Sequence, residues 1–246
     1  MFKDNFSRQA EIYAQFRPTY PPEMYAFLAA LTPAHDLAWD CGTGNGQAAL
    51  DLAVHYRAVV ASDPSAAQIA HAKPHARVAY QVSPAEDSAL PDQSVDLVTV
   101  ATALHWFDLE RFYPEVRRVL RPGGVLAAWA YQAPGFASAV GAVVRHFHDV
   151  TLDPYWQPEN RLIEQGYETL PFPFERVAAP EYHYQQALTR DELIGYLHTW
   201  SGTQRLIAAE GVDATAPLLR ELALAWPEAE VPQVATWPLV LKVGRS

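Results

Sequence analysis

Apolar and polar positions alternate along this chain with two periods, and the switch between them recurs. Leu37–Cys41, Ala58–Ser62, Arg77–Val82, Val95–Ala101 and Val125–Ala130 are short, largely apolar runs, the pattern of strands covered on both faces. Between them lie segments with helical spacing: Gln47–Ala53, Ala66–Lys73, and a stretch opened by Asp108 that Pro114 is expected to restart before it reaches Leu120. Strand and helix alternate in this way through residue 130, which predicts right-handed βαβ units and a doubly wound, mostly parallel sheet. Ahead of the sheet, Phe6, Ala10, Tyr13 and Phe16 step by three and four residues, the stripe of an amphipathic helix. Arg17-Pro18-Thr19-Tyr20-Pro21-Pro22 stops it, and a second helix is expected over Glu23–Leu31.

Beyond residue 130 the pattern is less regular. Phe136–Val150 reads as a helix, a proline- and aromatic-rich segment covers residues 152–174, and Tyr182–Leu188 reads as a sixth strand. Thr189-Arg190-Asp191-Glu192 is a capping box that opens a helix with Leu193, Leu197 and Trp200 on one face. A helix near Leu218–Ala225 and a last strand, Val234–Val243, complete a sheet of seven strands. The expected organisation is one α/β domain over residues 1–246: a helical lid at 1–31, a core at 32–130, a cap with strand six inserted at 131–230, and the last strand at 231–246.

The chemistry concentrates where the first strand ends. Leu37-Ala38-Trp39-Asp40-Cys41 runs into Gly42-Thr43-Gly44-Asn45-Gly46, and glycines in such a turn permit positive φ and remove the Cβ atoms that would hold a ligand off the backbone. The helix that follows presents unpaired N–H groups, so a nucleotide-like cofactor is the first expectation. A dinucleotide fingerprint would place its third glycine at Gln47, whereas here it falls at Gly46, which disfavours NAD. Asp63 lies about 20 positions past the turn, at the tip of the second strand, where a carboxylate accepts both hydroxyl hydrogens of a ribose or, alternatively, caps the helix after Ser65.

Composition narrows the partners. The 246 residues carry 18 basic against 28 acidic side chains and a net charge of -10, which opposes a general attraction to nucleic acid or to anionic membranes. No stretch approaches the roughly 18 consecutive apolar residues of a membrane span, and the N-terminus lacks the apolar core of a signal peptide. The single cysteine, Cys41, cannot form an internal disulfide and reads as a small buried residue, so a cytoplasmic protein is expected. His71 and His75 are separated by Lys73-Pro74, which breaks the helix that a ligand pair would need, and no metal is expected. Nothing in the sequence points to a particular oligomeric state.

An acidic residue before G-x-G-x-G resembles motif I of the class I S-adenosylmethionine-dependent methyltransferases. Later segments strengthen the likeness. Ser83-Pro84-Ala85-Glu86 is similar to a loop that holds adenine in that family, with Pro84 where an aspartate commonly stands. Ala101 and the following Ala-Leu-His-Trp-Phe-Asp, residues 103–108, resemble the loop after strand four in a group that includes trans-aconitate methyltransferases, and Leu-Arg-Pro-Gly-Gly before strand five is common in the superfamily. The resemblance covers nearly the whole chain and implies a Rossmann-like fold and S-adenosyl-L-methionine as cofactor. It implies cofactor contacts from Tyr13, Arg17, Asp40, Gly42, Gly44, Gly46, Asp63, Ala85, Glu86 and Ala101.

His105 is the candidate base, or else the residue that orients its loop. Trp106, Tyr131, Trp156 and Trp200 are candidate walls for a small organic acceptor, with oxygen of a carboxylate or hydroxyl as the expected methylation site. Arg17 is placed against either the cofactor's methionine carboxylate or an acidic acceptor. The rival functions are a non-catalytic S-adenosylmethionine-binding module and, more remotely, an NAD-dependent oxidoreductase.

Overall fold

The structure is a computed structural model and describes residues 19–246, so the expected helix through Phe6, Ala10, Tyr13 and Phe16, together with Arg17, lies outside the described residues. The first described helix, α1 (Pro22–Leu31), opens with a proline whose fixed φ suits the first turn, and it buries Met24, Tyr25, Leu28 and Ala29. The core then runs β1 (Leu37–Cys41), α2 (Gln47–His55), β2 (Ala58–Asp63), α3 (Ala66–Ala70), β3 (Val78–Val82), β4 (Val95–Ala101), α4 (Leu109–Val119) and β5 (Leu120–Tyr131). Pro114 does not restart a helix as expected. It sits inside an unbroken α4, where the carbonyl it leaves unpaired belongs to Glu110 on the exposed face.

The remaining elements are α5 (Val140–His146), extended by a π turn over Phe147–Thr151, then α6 (Arg161–Glu164), β6 (Glu175–Val177), β7 (Tyr182–Leu188), α7 (Arg190–His198), α8 (Ser201–Glu210), α9 (Ala216–Ala225) and β8 (Gln233–Arg245). The expected capping box forms at α7, with Thr189 and Glu192 each bonding the other's backbone N–H. Trp200, expected on that helix's face, instead occupies the N-cap position of α8. Helix α8 had no sequence signal. A tryptophan stands where a capping side chain would announce it, and Gly202 and Thr203 are weak helix formers in its first turn.

The sheet order is β3-β2-β1-β4-β5-β8-β6, with β7 also paired to β8. Strands β1 to β5 are mutually parallel, and β8 returns antiparallel beside β5. The doubly wound, mostly parallel sheet is therefore present, with eight strands among the described residues in place of the expected seven. Residues Tyr182–Leu188 of β7 pair with Gln233–Leu239, and Glu175–Val177 of β6 pairs with Val243–Arg245, so the two share one lane along the long β8. Pro180, which has no N–H to give a ladder, lies in the gap between them.

Period-two alternation sends successive strand residues to opposite faces. Ala38, Leu97, Val125, Ala127 and Trp129 join the cluster under α1 and α2, whereas Trp39, Val98, Leu126, Ala128 and Ala130 join the one that contains Phe112 and Val116 of α4. At the N-terminal edge, buried Asp96 accepts the N–H groups of Asp36 and Leu37 and pairs with Arg121, which pins the starts of β1, β4 and β5 together. The opposite, C-terminal edge is left for the glycine turn and the loop after β4. Among the described residues no helix is long and apolar enough to cross a membrane.

Candidate functional site

The three glycines of the turn share one backbone requirement and differ in what surrounds them. All three have positive φ, +70° at Gly42, +58° at Gly44 and +87° at Gly46. A Cβ on Gly42 would stand 2.8 Å from the Cβ of Ala103, and one on Gly46 would stand 2.5 Å from the Tyr80 hydroxyl oxygen. On Gly44 it would meet nothing nearer than the Gln68 side-chain oxygen at 3.9 Å. Gly42 and Gly46 thus let protein pack on the turn, and Gly44 leaves bare backbone facing open space.

Asp40 lies beneath this turn. Its carboxylate is fully buried and accepts the hydroxyls of Thr43 (2.5 Å) and Thr99 (2.8 Å). Burial pushes the Asp40 carboxyl up to about 6, against those two bonds, which favour the ionised form. Burial likewise pushes the neighbouring Cys41 thiol up, which leaves it a packed, unreactive residue. Asp63, at the tip of β2, accepts the N–H of Gly44 on one oxygen (2.9 Å) and that of Ser65 on the other (2.8 Å), tying the turn to the next strand end.

A cavity of about 470 Å³ opens over these groups. Among the expected cofactor residues Gly42, Gly44, Asp63 and Ala101 form its wall, whereas Asp40, Gly46, Ala85 and Glu86 do not. Asp40 and Gly46 act from below, as just described. Ala85 packs in the cluster with Trp39 and Phe112, and Glu86 accepts the backbone N–H of Asp108 at 3.1 Å. The loop that carries both is anchored to α4, because Glu115 accepts the N–H and hydroxyl of Ser88 and two bonds from Arg118. The Arg118 guanidinium holds the Glu115 carboxyl down at about 2. On that side the described wall is made by Pro64, Ser65 and Gln68, which carried no sequence signal. Tyr13 and Arg17 lie outside the described residues.

The loop after β4 forms the far wall. Thr102 has φ +55°, an uncommon conformation for a β-branched residue, and it is held by its N–H to the Trp129 carbonyl (2.7 Å) and by a hydroxyl contact with Tyr20 (3.1 Å). A single 3₁₀ turn then presents His105 and Trp106. On their other side lies a smaller chamber of about 100 Å³ that Trp156 and Trp200 line together with Tyr196, His148 and Glu164. All four expected acceptor-wall residues border this chamber, and Thr102, His105, Trp106 and Tyr131 border both cavities.

Aromatic packing builds the chamber. His148 stands with ring centroids 5.0 Å from Trp156 and 5.2 Å from Trp200, and its two nitrogens meet Asp149 (2.7 Å) and Glu164 (3.5 Å). The Trp156 ring crosses the first turn of α8 so closely that a Cβ on Gly202 would lie 3.1 Å from it. Behind the wall His105 Nδ1 is 2.8 Å from the hydroxyl of fully buried Tyr167. Tyr167, His148 and Tyr196 were not singled out as site residues in the sequence, because they come from three separate elements with no shared spacing. Only Gly166, directly before Tyr167, hinted at a tight turn there. Among the described residues no three His, Cys, Asp or Glu side chains converge as metal ligands would.

Residues 39–128 match the family model of a methyltransferase domain. A Dictyostelium discoideum protein named as a methyltransferase is 35% identical over 229 residues, 92% of this chain and 87% of its own. A Mycobacterium tuberculosis protein, an uncharacterized methyltransferase, is 33% identical over 77% of this chain and 74% of its own. The solved structure of a type II methyltransferase from Anaeromyxobacter dehalogenans is 43% identical and superposes with a TM-score of 0.88, covering 94% of this chain and 98% of that one. With the glycine turn, the strand-tip carboxylate and the cavity at the C-terminal edge of the sheet already in place, these likenesses show that the chain belongs to the methyltransferase family, as an S-adenosylmethionine-dependent member.

Proposed function

We propose that the protein transfers the methyl group of S-adenosylmethionine to oxygen of a small carboxylate or hydroxyl compound seated in the aromatic chamber. The observation that carries this reading is the wall common to two cavities, formed by Thr102, His105, Trp106 and Tyr131. A donor on one side and an acceptor on the other can approach one another across that wall.

The residues present fit the cofactor. The larger cavity lies in the range of small-molecule sites, Gly44 exposes backbone that a Cβ would cover, and Asp63, whose two oxygens accept the Gly44 and Ser65 N–H groups, borders that cavity at the tip of β2. In this reading Asp63 accepts ribose hydroxyls, and the backbone of Gly42 and Gly44 passes close under the methionine portion. Ala101 keeps the floor low, and Tyr13 and Arg17 complete the contacts, Arg17 pairing with the methionine carboxylate. Residues 131–230 serve as the cap over the acceptor.

The cofactor supplies a sulfonium-bound methyl group that is already a strong electrophile. The protein has then to align the acceptor, hold it at near-contact distance and keep water away. Trp106, Trp156, Trp200 and Tyr131 do this by enclosing it. A chamber of about 100 Å³ encloses only the reacting end of an acceptor, since a cavity of ~150 Å³ takes up benzene, and the remainder of a larger acid would extend beyond it.

The test is transfer of label from methyl-tritiated S-adenosylmethionine to a panel of small di- and tricarboxylic acids, phenols, aliphatic alcohols and amines. The resemblance to trans-aconitate methyltransferases places unsaturated tricarboxylates first. Label on a carboxylate or hydroxyl is expected; label on amines alone would overturn the oxygen assignment.

A further inference from the structure

We infer that Tyr167 is a positioning residue that holds His105 with its proton on Nε2, so that this histidine serves the two cavities as a hydrogen-bond donor and not as a base. Tyr167 is 0% exposed, and among the described residues the hydrogen-bond partner of its hydroxyl is His105 Nδ1, at 2.8 Å. A phenol carries one proton. If Nδ1–H donated to the phenol oxygen, that proton would be buried with no acceptor among the described residues, a costly arrangement. If the phenol donates to Nδ1, both groups are satisfied and the imidazole proton must sit on Nε2. Loss of the phenol proton is no escape, because burial raises the Tyr167 hydroxyl well above the usual tyrosine range.

The backbone under Tyr167 supports an aimed side chain over plain filling. Its φ is +56°, in the left-handed region that a bulky aromatic residue rarely enters, and Gly166 before it is at +63°. Three tethers hold this conformation. The Tyr167 N–H donates to the Leu162 carbonyl (2.8 Å), the Tyr167 carbonyl accepts from Lys242 Nζ, a side chain only 2% exposed, and the hydroxyl meets His105. The phenol ring lies nearly parallel to the imidazole, with centroids 6.0 Å apart. Strain that is over-determined in this way concentrates at functional positions. A phenylalanine would fill the same volume, so packing alone does not ask for the hydroxyl.

His105 borders both cavities, and with Nδ1 turned to Tyr167 any polar contact it makes with a molecule in either one is made through Nε2. This consequence rests on the methyl-transfer reading above and sharpens it. An N–H donor suits an acceptor whose oxygen arrives already anionic, as a carboxylate does, over a hydroxyl that must surrender a proton to His105.

The test is a long-range ¹H–¹⁵N correlation spectrum of the full chain labelled at histidine ring nitrogens, with His105 identified by the signals lost in His105→Gln. The expected wild-type pattern is an unprotonated Nδ1 and a protonated Nε2. In Tyr167→Phe the two nitrogen shifts are expected to move toward each other as the tautomers mix. The same variant is expected to lose about tenfold in kcat while its affinity for S-adenosylmethionine, titrated separately, stays within about twofold. A wild-type Nδ1 that carries the proton, or a pattern that Tyr167→Phe leaves unmoved, would overturn the inference. If Tyr167→Phe does not fold, the wild-type spectrum decides alone. The tautomer is read without turnover, so failure of the label-transfer assay counts against the proposed function and failure here counts against the role of Tyr167.

Discussion

The two cavities that meet at Thr102, His105, Trp106 and Tyr131 are built by different means. The larger one is walled by backbone: a glycine turn, the ends of β1 and β2, and an Asp63 carboxylate whose oxygens receive N–H groups. The smaller one is walled by side chains: Trp106 from the loop after β4, Tyr131 at the end of β5, and the rings of His148, Trp156, Tyr196 and Trp200, which pack edge-on or tilted against one another. The first is fixed by φ angles and ladder register, and so tolerates little. The second is fixed by ring-on-ring packing, and Trp156, Tyr196 and Trp200 lie outside the shared wall.

The largest expected effect breaks the aromatic side alone. Trp200 is 7% exposed and lies against Phe147, His148, Trp156 and Tyr196, so Trp200→Ala is expected to cost about 3–5 kcal/mol of stability. In the folded fraction the acceptor KM should rise while cofactor affinity is kept. Denaturant unfolding and a cofactor titration check the two halves, and a matching loss of cofactor affinity would show the cavities to be one unit.

The next effect belongs to the backbone side and is a pH dependence. The folded Asp40 carboxyl titrates at about 6 against an ordinary 3.8, so the folded state binds that proton more tightly than the unfolded chain does. The stability this group contributes is complete below pH ~4 and is lost as pH rises through about 6, a span of about 3 kcal/mol. Asp40→Asn removes the titration. Its stability relative to wild type should therefore improve by up to that amount between pH 4 and 7.5, and a difference that stays flat in pH would contradict the assignment.

The smallest effects sharpen the contrast within the turn. Gly44→Ala meets open space and should cost only the backbone strain, about 1–2 kcal/mol, while its new Cβ weakens cofactor binding. Gly46→Ala adds a clash with Tyr80 to the same strain and should cost more stability. Equal unfolding midpoints for the two variants would remove the distinction drawn between them.

The same contrast explains what was legible in the sequence. Strands β1, β2, β4 and β5 could be placed because a strand covered on both faces must be a short apolar run, whereas β3, a half-exposed edge strand, was placed by the alternation of strand and helix. Gly42 and Gly44 were visible because a turn with positive φ restricts residue type, and Asp63 because of its place at a strand tip. Helix α8, strand β6 and Tyr167 were not, because what stabilises them is non-local: Trp156 over Gly202, pairing with the far end of β8, and Lys242 beneath the Tyr167 carbonyl. Ala85 and Glu86 illustrate the reverse hazard. Their motif was recognisable, but the Ser88–Glu115–Arg118 network that sets where their loop lies was not.

Calorimetric titration of the wild-type protein with S-adenosylmethionine, and in parallel with NAD, tests the central claim most directly. The account predicts saturable binding of about one equivalent of S-adenosylmethionine, lost or strongly weakened in Asp63→Ala, and no binding of NAD. Saturation by NAD with no response to S-adenosylmethionine would contradict it.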